Sequence, residues 1–456
     1  MLIQQFSFCE LHGGIHSRLE VWSTLWMVLE SLIVALKALL SGLPDRRQGD
    51  NTTYAMGDFG LAAFCVFFMQ SPSFLSHQTA LARGRGTSNC QTLFAMSRIP
   101  SDNQIRSMLD PVPPGLLFPM FGKTLAALEA GGGLDAFRRL DGHVLIALDG
   151  TEYFSSQKLS CPNCSTRARS NGKTEHFHQM VSAALVAPGH DRVLALEPEF
   201  IVAQDGTEKQ DCESRATARW LASHGPRYAH LKPIYLGDDL SSRQPTCEAI
   251  RAVGGHFLLT AKPSSHATLY EWLNGAEVPT TEQKIKQGRR FVTHRYRWLE
   301  GVPIRDGKDA LIVNWLEIEI SDAGGKVIYR NSFVTDLAVN ENNVAELASC
   351  ARARWKIENE NFNTLKNNGY NLEHNFGHGT QHLAAFLATM NLLAFAMHTV
   401  ADLVDAAWNK ARLAVGTRKR FFEDLRALTT YLVFPSWALL VETLIAGKPL
   451  PAVFDG

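Results

Sequence analysis

His143-Val144-Leu145-Ile146-Ala147-Leu148-Asp149-Gly150 is the stretch whose reading decides the fold. Its apolar run is short, continuous and closed by Asp-Gly, the pattern of a buried strand that delivers an acid at its C-terminal end. One such acid says little, because many α/β proteins carry one. Its meaning depends on the segments around it.

Downstream, Gln179 to Val186 and Val193 to Ile201 read as two further strands, joined by the turn Pro188-Gly189-His190-Asp191. Asp211 is placed to cap a helix running through Trp220 and Leu221 to Gly225-Pro226. Pro233-Ile234-Tyr235-Leu236-Gly237 then leads into Asp238-Asp239, a second strand ending on carboxylates. A helix near Thr246 to Val253 and a strand His256 to Thr260 follow. Between 264 and about 335, Arg289 to Trp298, Ala310 to Ile320 and Val327 to Val334 carry β-branched and aromatic residues in partial alternation, which predicts an antiparallel insertion. Glu341 to Lys366 reads as one helix, stopped by Asn367-Asn368-Gly369.

The two ends of the chain read as helical. Trp22, Leu25, Trp26, Leu29, Leu32, Ile33, Leu36 and Leu40 form one stripe interrupted by Glu30 and Lys37, an amphipathic helix and not a membrane span. Gly57 to Gln70 is a second, buried helix. Ser101 with Gln104 three residues on is a capping-box signature for the helix through Leu109. Gln381 to Trp408 and Arg418 to Leu444 give the C-terminal helices. The expected organisation is a helical domain over 1–140 that either binds DNA or packs, a core over 141–263, a β-rich insertion over 264–335, the core's second part over 336–380, and a helical region over 381–456.

The helix ending at Lys366 carries most of the functional information. Arg354, Glu358 and Lys366 lie zero, four and twelve residues along, and at about 100° per residue they share one side of a helix. An i,i+4 Arg–Glu pair is also what a solvated helix face carries. The strand order alters that reading: three strands, a helix, a strand with its acid, a helix and strand, then an acid on a helix match a mixed α/β sheet of the ribonuclease-H-like kind. Asp149 and Asp238 then stand at adjacent strand ends and Glu358 reaches over from the helix. Hard carboxylate oxygens suit Mg²⁺ or Mn²⁺. Two such ions about 3.5–4 Å apart activate a nucleophilic oxygen and stabilise the leaving one in phosphoryl transfer. Glu360 is a substitute acid, but it lies about 200° round the helix from Glu358. Asp239 competes with Asp238.

On these residues the chain resembles bacterial insertion-sequence DDE transposases. Arg354-x3-Glu358, the Trp355-Lys356-Ile357-Glu358 wording and the trailing Leu365-Lys366 look like their Y-x2-R-x3-E-x6-K signature. Leu148-Asp149-Gly150-Thr151 looks like the first-Asp strand, and Leu236 to Ser242 like the second-Asp motif, with Asp-Asp-Leu-Ser-Ser favouring Asp238. A β-rich insertion between the second Asp and the Glu is that group's arrangement. The resemblance covers roughly residues 141–380. It implies Asp149, Asp238 and Glu358 as catalytic ligands of two Mg²⁺ or Mn²⁺ ions, and Arg354 and Lys366 as phosphate-holding residues. It further implies double-stranded DNA as partner, both as element ends and as target, and a homodimer assembled on that DNA. The sequence departs at the Tyr position, which is Ala351, and in having seven residues between Glu358 and Lys366. Other readings are a nuclease of the same fold without strand transfer, and a non-catalytic DNA-binding descendant. The presence of all three acids argues against the second.

Two further groups stand out. Cys161-Pro-Asn-Cys164, followed by His176-Phe-His178, has a zinc-knuckle turn and two histidines at strand spacing, which predicts a structural zinc bracing the hairpin after Asp149. Two reduced cysteines beside strand histidines is the plainer alternative. Arg289, Arg290 and Arg295, with Lys284, Lys286, Arg297, Phe291, Tyr296 and Trp298, form a basic and aromatic stretch suited to DNA. Arg418-Lys419-Arg420 is a second basic run. Lys plus Arg and Asp plus Glu both number 45, so any polyanion has to be held by such local patches and not by bulk charge. Eight scattered cysteines without a signal-peptide pattern predict the reducing cytoplasm.

Overall fold

The computed structural model describes residues 28–48, 52–203 and 211–447, and the backbone of 454–455. Residues 22–27 of the expected first helix, and 49–51 after it, lie outside these. The chain divides into two compact units, one of residues 134–364 and one combining 1–133 with 365–456. In chain order the helices are α1 (28–41), α2 (Met56–Phe68), α3 (Phe74–Ala82), α4 (Thr87–Phe94), α5 (Asp102–Leu109), α6 (Pro119–Ala130), α7 (Glu213–Tyr228), α8 (Gln244–Ala252), α9 (Ala267–Asn274), α10 (Val344–Arg352), α11 (Asn363–Asn367), α12 (Leu383–Val404), α13 (Ala406–Val415), α14 (Arg418–Tyr431) and α15 (Trp437–Ala446). The strands of the 134–364 unit are β1 (Arg138–Arg139), β2 (His143–Ser156), β3 (Ser165–Ala168), β4 (Thr174–Val186), β5 (Leu194–Ala195), β6 (Glu199–Ile201), β7 (Pro233–Gly237), β8 (His256–Thr260), β9 (Thr280–Gln287), β10 (Arg290–Pro303), β11 (Ile312–Ser321) and β12 (Val327–Thr335).

This unit is built on one mixed sheet with the order β3-β4-β2-β7-β8-β12-β11-β10-β9. β2 is the hinge of the pattern: it pairs antiparallel with β4 and parallel with β7, and β7 pairs parallel with β8. Val144 to Ala147 and all five residues of β7 are buried, which is why both strands read as unbroken apolar runs. α7 lies against β4 and β6, and its Trp220 is fully buried, stacks on Tyr228, meets Tyr235 of β7 edge-on and donates its indole N–H to the Glu197 carbonyl at 2.7 Å.

Several expectations are corrected here. The strand expected over 193–201 is two, β5 and β6, separated at Glu197, whose buried carboxylate takes the Tyr228 hydroxyl and Arg227. Asp211 does not cap α7, because Cys212 holds that position and the Asp211 carboxylate is spent on a two-pronged pair with Arg219. α7 also runs on through Pro226 to Tyr228, where Trp220 and Glu197 hold its last residue. β9 escaped the sequence pattern because Thr-Thr-Glu-Gln-Lys-Ile-Lys-Gln shows no apolar alternation; it exists through its pairing with β10. The insertion's strands are antiparallel as expected, and β12 also pairs antiparallel with β8, so they continue the core sheet. The helix expected over 341–366 is broken: α10 ends at Arg352, a turn follows, and Ile357–Phe362 form a π-helical turn before α11. The wider turn aims Ile357, Asn361, Phe362 and Leu365 inward together.

In the other unit the N- and C-terminal helices, read as separate regions, fold together around α2 and α12. Every residue of α2 is buried. α12 is long and apolar enough to cross a bilayer, but 89% of its apolar window is buried inside the protein, so it is a core helix. Asp110 caps α12 from far away in sequence: its carboxylate accepts the amides of Thr380, Gln381 and Leu383 at 3.0, 3.0 and 3.1 Å. Arg418 is not part of an exposed basic run. It turns inward to the Tyr370 hydroxyl (2.8 Å) and the buried Asp402 (3.3 Å).

Candidate active site

The register of the central strands brings the first two acids together. The parallel ladder ends at Ala147 opposite Leu236, so Asp149 and Asp238, each two residues on, emerge side by side where the pairing stops. β2 itself continues past Asp149 to Ser156, held by β4, so the acid stands in mid-strand and not at a strand end as expected. Arg354 joins this point to the third acid. Its Nη1 lies 3.1 Å from Asp149 Oδ2 and 2.9 Å from Glu358 Oε1. The π-turn that carries Glu358 is fastened to the sheet by Asn361, whose Nδ2 donates to Ser182 Oγ at 3.2 Å, both side chains fully buried. Ser182 is the partner of Asp149 across the β2–β4 ladder. One ladder rung therefore sets both the first acid and the anchor of the third.

A fourth carboxylate, Glu213, belongs to the group and was missed in the sequence. It sits in the first turn of α7 with its carboxylate against the Gly150 backbone, whose amide donates to Asp149 Oδ1 at 3.0 Å. A Cβ on Gly150 would lie 2.3 Å from Glu213 Oε2, so the glycine of Asp149-Gly150 is what admits it. The available signal was an acid one residue after a helix N-cap, too common to single out. Burial pushes the Asp149 carboxyl up to about 7; Arg354 works against this, and Glu213, Glu358 and Asp238 add to it. Burial also raises Glu213, with Asp238 adding, while the Gly150 amide and Arg354 oppose. Four carboxylates thus gather near one guanidinium, with direct ion pairs from Arg354 to Asp149 and Glu358 and electrostatic coupling to Asp238 and Glu213.

The remaining site expectations divide. Asp239 faces away from this group: its Oδ1 accepts the Lys262 amide (2.7 Å) and the Ser265 hydroxyl (2.6 Å), so Asp238 is the acid of the cluster. Glu360 pairs with Lys356 at 3.0 Å and does not reach Arg354. Arg354, expected to hold phosphate, is only 13% exposed and is occupied by the acids. Lys366 belongs to the other unit and pairs with Glu373 at 2.7 Å. Of the basic ribbon, Arg289 and Arg290 lie exposed at the β9–β10 hairpin tip. Arg295 is bound to Glu282 at 2.7 Å, and Tyr296 is buried, leaving Phe291 as an exposed ring. A second exposed ring, Trp355, lies against Arg354 at 5.4 Å, beside the acids.

Cys161, Cys164 and His178 come together, but His176 does not. β3 pairs with β4 so that Thr166 faces His176 and Ser165 faces Phe177, which puts Cys164 level with His178. His176 lies one pleat farther on, about 6.6 Å along the strand.

No protein-family model matches the chain, and no curated protein matches it either.

Proposed function

We propose that this chain is a DDE-type transposase that cleaves the ends of a DNA element and joins the freed 3′-hydroxyls to target DNA. The observation that carries this is the convergence of Asp149, Asp238 and Glu358, distant in sequence, on the Arg354 guanidinium and its surroundings. The strand order supports it: β5 and β6 on β4, then β2, then the parallel β7 and β8, with Glu358 returning on a helical segment, is the arrangement expected of a ribonuclease-H-like core. Asp149, Asp238 and Glu358 would hold two Mg²⁺ or Mn²⁺ ions, with Glu213 beside them, and such ions supply charge stabilisation and an activated oxygen nucleophile for phosphoryl transfer. The chain's own residues do the positioning. Arg354 draws Asp149 and Glu358 together, Asn361 locks the Glu358 turn onto β4, and the Ser241 amide and hydroxyl hold Asp238 Oδ1 at 3.1 and 3.2 Å. Trp355 offers an exposed ring for an unpaired base at the cleavage point. Arg289, Arg290 and the neighbouring lysines offer phosphate contacts on duplex DNA. Two ends have to be held at once, so the working form is a homodimer on DNA, in the cytoplasm where the element resides.

The test is cleavage and joining on a plasmid carrying the gene's own flanking DNA. Asp149→Asn, Asp238→Asn and Glu358→Gln each abolish Mg²⁺-dependent end cleavage while leaving DNA binding intact, and Asp239→Asn retains it. Cleavage that survives in the Asp238 variant would overturn the assignment. Cleavage without joined product from pre-cut ends would reduce the protein to a nuclease.

A further inference from the structure

We infer that Cys161, Cys164 and His178 bind a structural zinc ion, independently of the acidic site. The three donor atoms stand at the corners that such an ion requires. With Zn–S about 2.3 Å and Zn–N about 2.0–2.1 Å, a tetrahedron has an S–S edge of about 3.8 Å and S–N edges of about 3.5–3.6 Å. Here Cys161 Sγ and Cys164 Sγ are 3.8 Å apart, and each lies 3.5 Å from His178 Nε2. A disulfide needs its sulfurs at about 2.05 Å, so this pair is held apart as ligands are and not joined. This unit supplies three of the four corners.

The backbone is shaped for the same purpose. Cys161 and Cys164 close a tight turn, the Cys164 amide donating to the Cys161 carbonyl at 3.1 Å, and the Cys161 amide points at Cys164 Sγ at 3.4 Å. An amide directed at a sulfur favours the thiolate that a metal requires. The imidazole is oriented by two rings of β2: Tyr153 stacks on His178 at 5.6 Å and 13°, and Phe154 leans on it at 5.6 Å. His178 and Cys164 are both nearly inaccessible, at 4% and 5% exposure. Two thiolates and a neutral imidazole are the soft and borderline donors that select zinc over Mg²⁺. Binding expels the two thiol protons and leaves a neutral Zn(S⁻)₂ unit, so no net charge is buried.

The site has a mechanical use. β3 is a four-residue strand at the sheet edge, and residues 157–164, between β2 and β3, lie outside any strand. Zinc would staple that connection to β4, the strand that pairs with Asp149 through Ser182.

The test uses the full-length protein purified without chelator. Elemental analysis is expected to give about one zinc per chain. Replacement by Co²⁺ is expected to produce a thiolate-to-metal charge-transfer band with tetrahedral d–d bands. Cys161→Ser/Cys164→Ser loses the metal and the band, whereas His176→Ala keeps both. A wild-type protein that stays metal-free and gives no charge-transfer band with Co²⁺ overturns the inference, as does stoichiometric zinc in the double-serine variant. The cobalt spectrum of the wild type stands even if that variant fails to fold. None of these readouts involves DNA, so they separate this inference from the proposed activity.

Discussion

Asp149→Asn should make the metal-free protein more stable. Asp149 is 17% exposed and its carboxyl is pushed from 3.8 to about 7, chiefly by burial and then by its three acidic neighbours against Arg354. Roughly three pKa units at 1.36 kcal/mol each is about 4 kcal/mol, and relaxation of the cluster brings the expected gain to about 2–4 kcal/mol. The sign follows from proton counting. The folded state holds the Asp149 proton across a range in which the unfolded chain has lost it. Stability contributed by that proton is complete below about pH 4 and declines as pH rises to about 7, levelling off above. Asparagine keeps the shape, leaves Arg354 its Glu358 partner and removes this slope. The assay is equilibrium denaturation of both proteins in EDTA, at about pH 7.5 and again near pH 4. The variant's advantage should shrink to under about 1 kcal/mol at the lower pH. Saturating Mg²⁺ should close the gap at neutral pH, because an ion at 100 times its Kd returns about 2.7 kcal/mol to the protein that binds it. An Asp149→Asn protein no more stable than wild type in EDTA, or an advantage indifferent to pH, would refute the electrostatic reading of the site.

Two further outcomes follow from the same reasoning. Gly150→Ala should fold, since the three atoms nearest the new methyl all belong to the movable Glu213 side chain, but it should weaken Mg²⁺ binding to about the same extent as Glu213→Gln, measured by calorimetry; unchanged affinity in both would remove Glu213 from the site. Asp110→Ala should cost about 1–2 kcal/mol by uncapping α12. Burial alone would raise the Asp110 carboxyl, but the amides of Thr380, Gln381 and Leu383 outweigh it and hold the group below its ordinary value. The cap's contribution is therefore complete above about pH 4 and vanishes as pH falls through the lowered value, so denaturation curves of variant and wild type should converge in acid.

The central strands were legible because they are buried on both faces: β7 and β8 were delimited in the sequence to within a residue, and the start of β2 was exact in outline. The placement of Asp149 and Asp238 on or just after buried strands was legible because β2 and β7 carry continuous apolar runs. What escaped was decided by partners. β9 is polar throughout and exists only against β10. The break before the π-turn depends on Asn361 finding Ser182 across the sheet, and Asp110 caps a helix that begins at Leu383. Glu213 joins the acids because Gly150 has no side chain, a fact about two neighbours and not about either residue's own surroundings in sequence. His176 was misjudged for a related reason: the spacing of histidines was visible, but the register of β3 against β4 was not.

The way β12 returns to β8 decides how the insertion is joined to the core. Its last strand is laced into the core ladder from Leu258 to Thr260, and only a short connection separates Thr335 from α10 and the turn bearing Arg354 and Glu358. The exposed arginines of the β9–β10 tip are therefore tied to the central strands by unbroken neighbour-to-neighbour pairing, β9 to β10 to β11 to β12 to β8, and the hairpin is an outgrowth of the same sheet that carries Asp149.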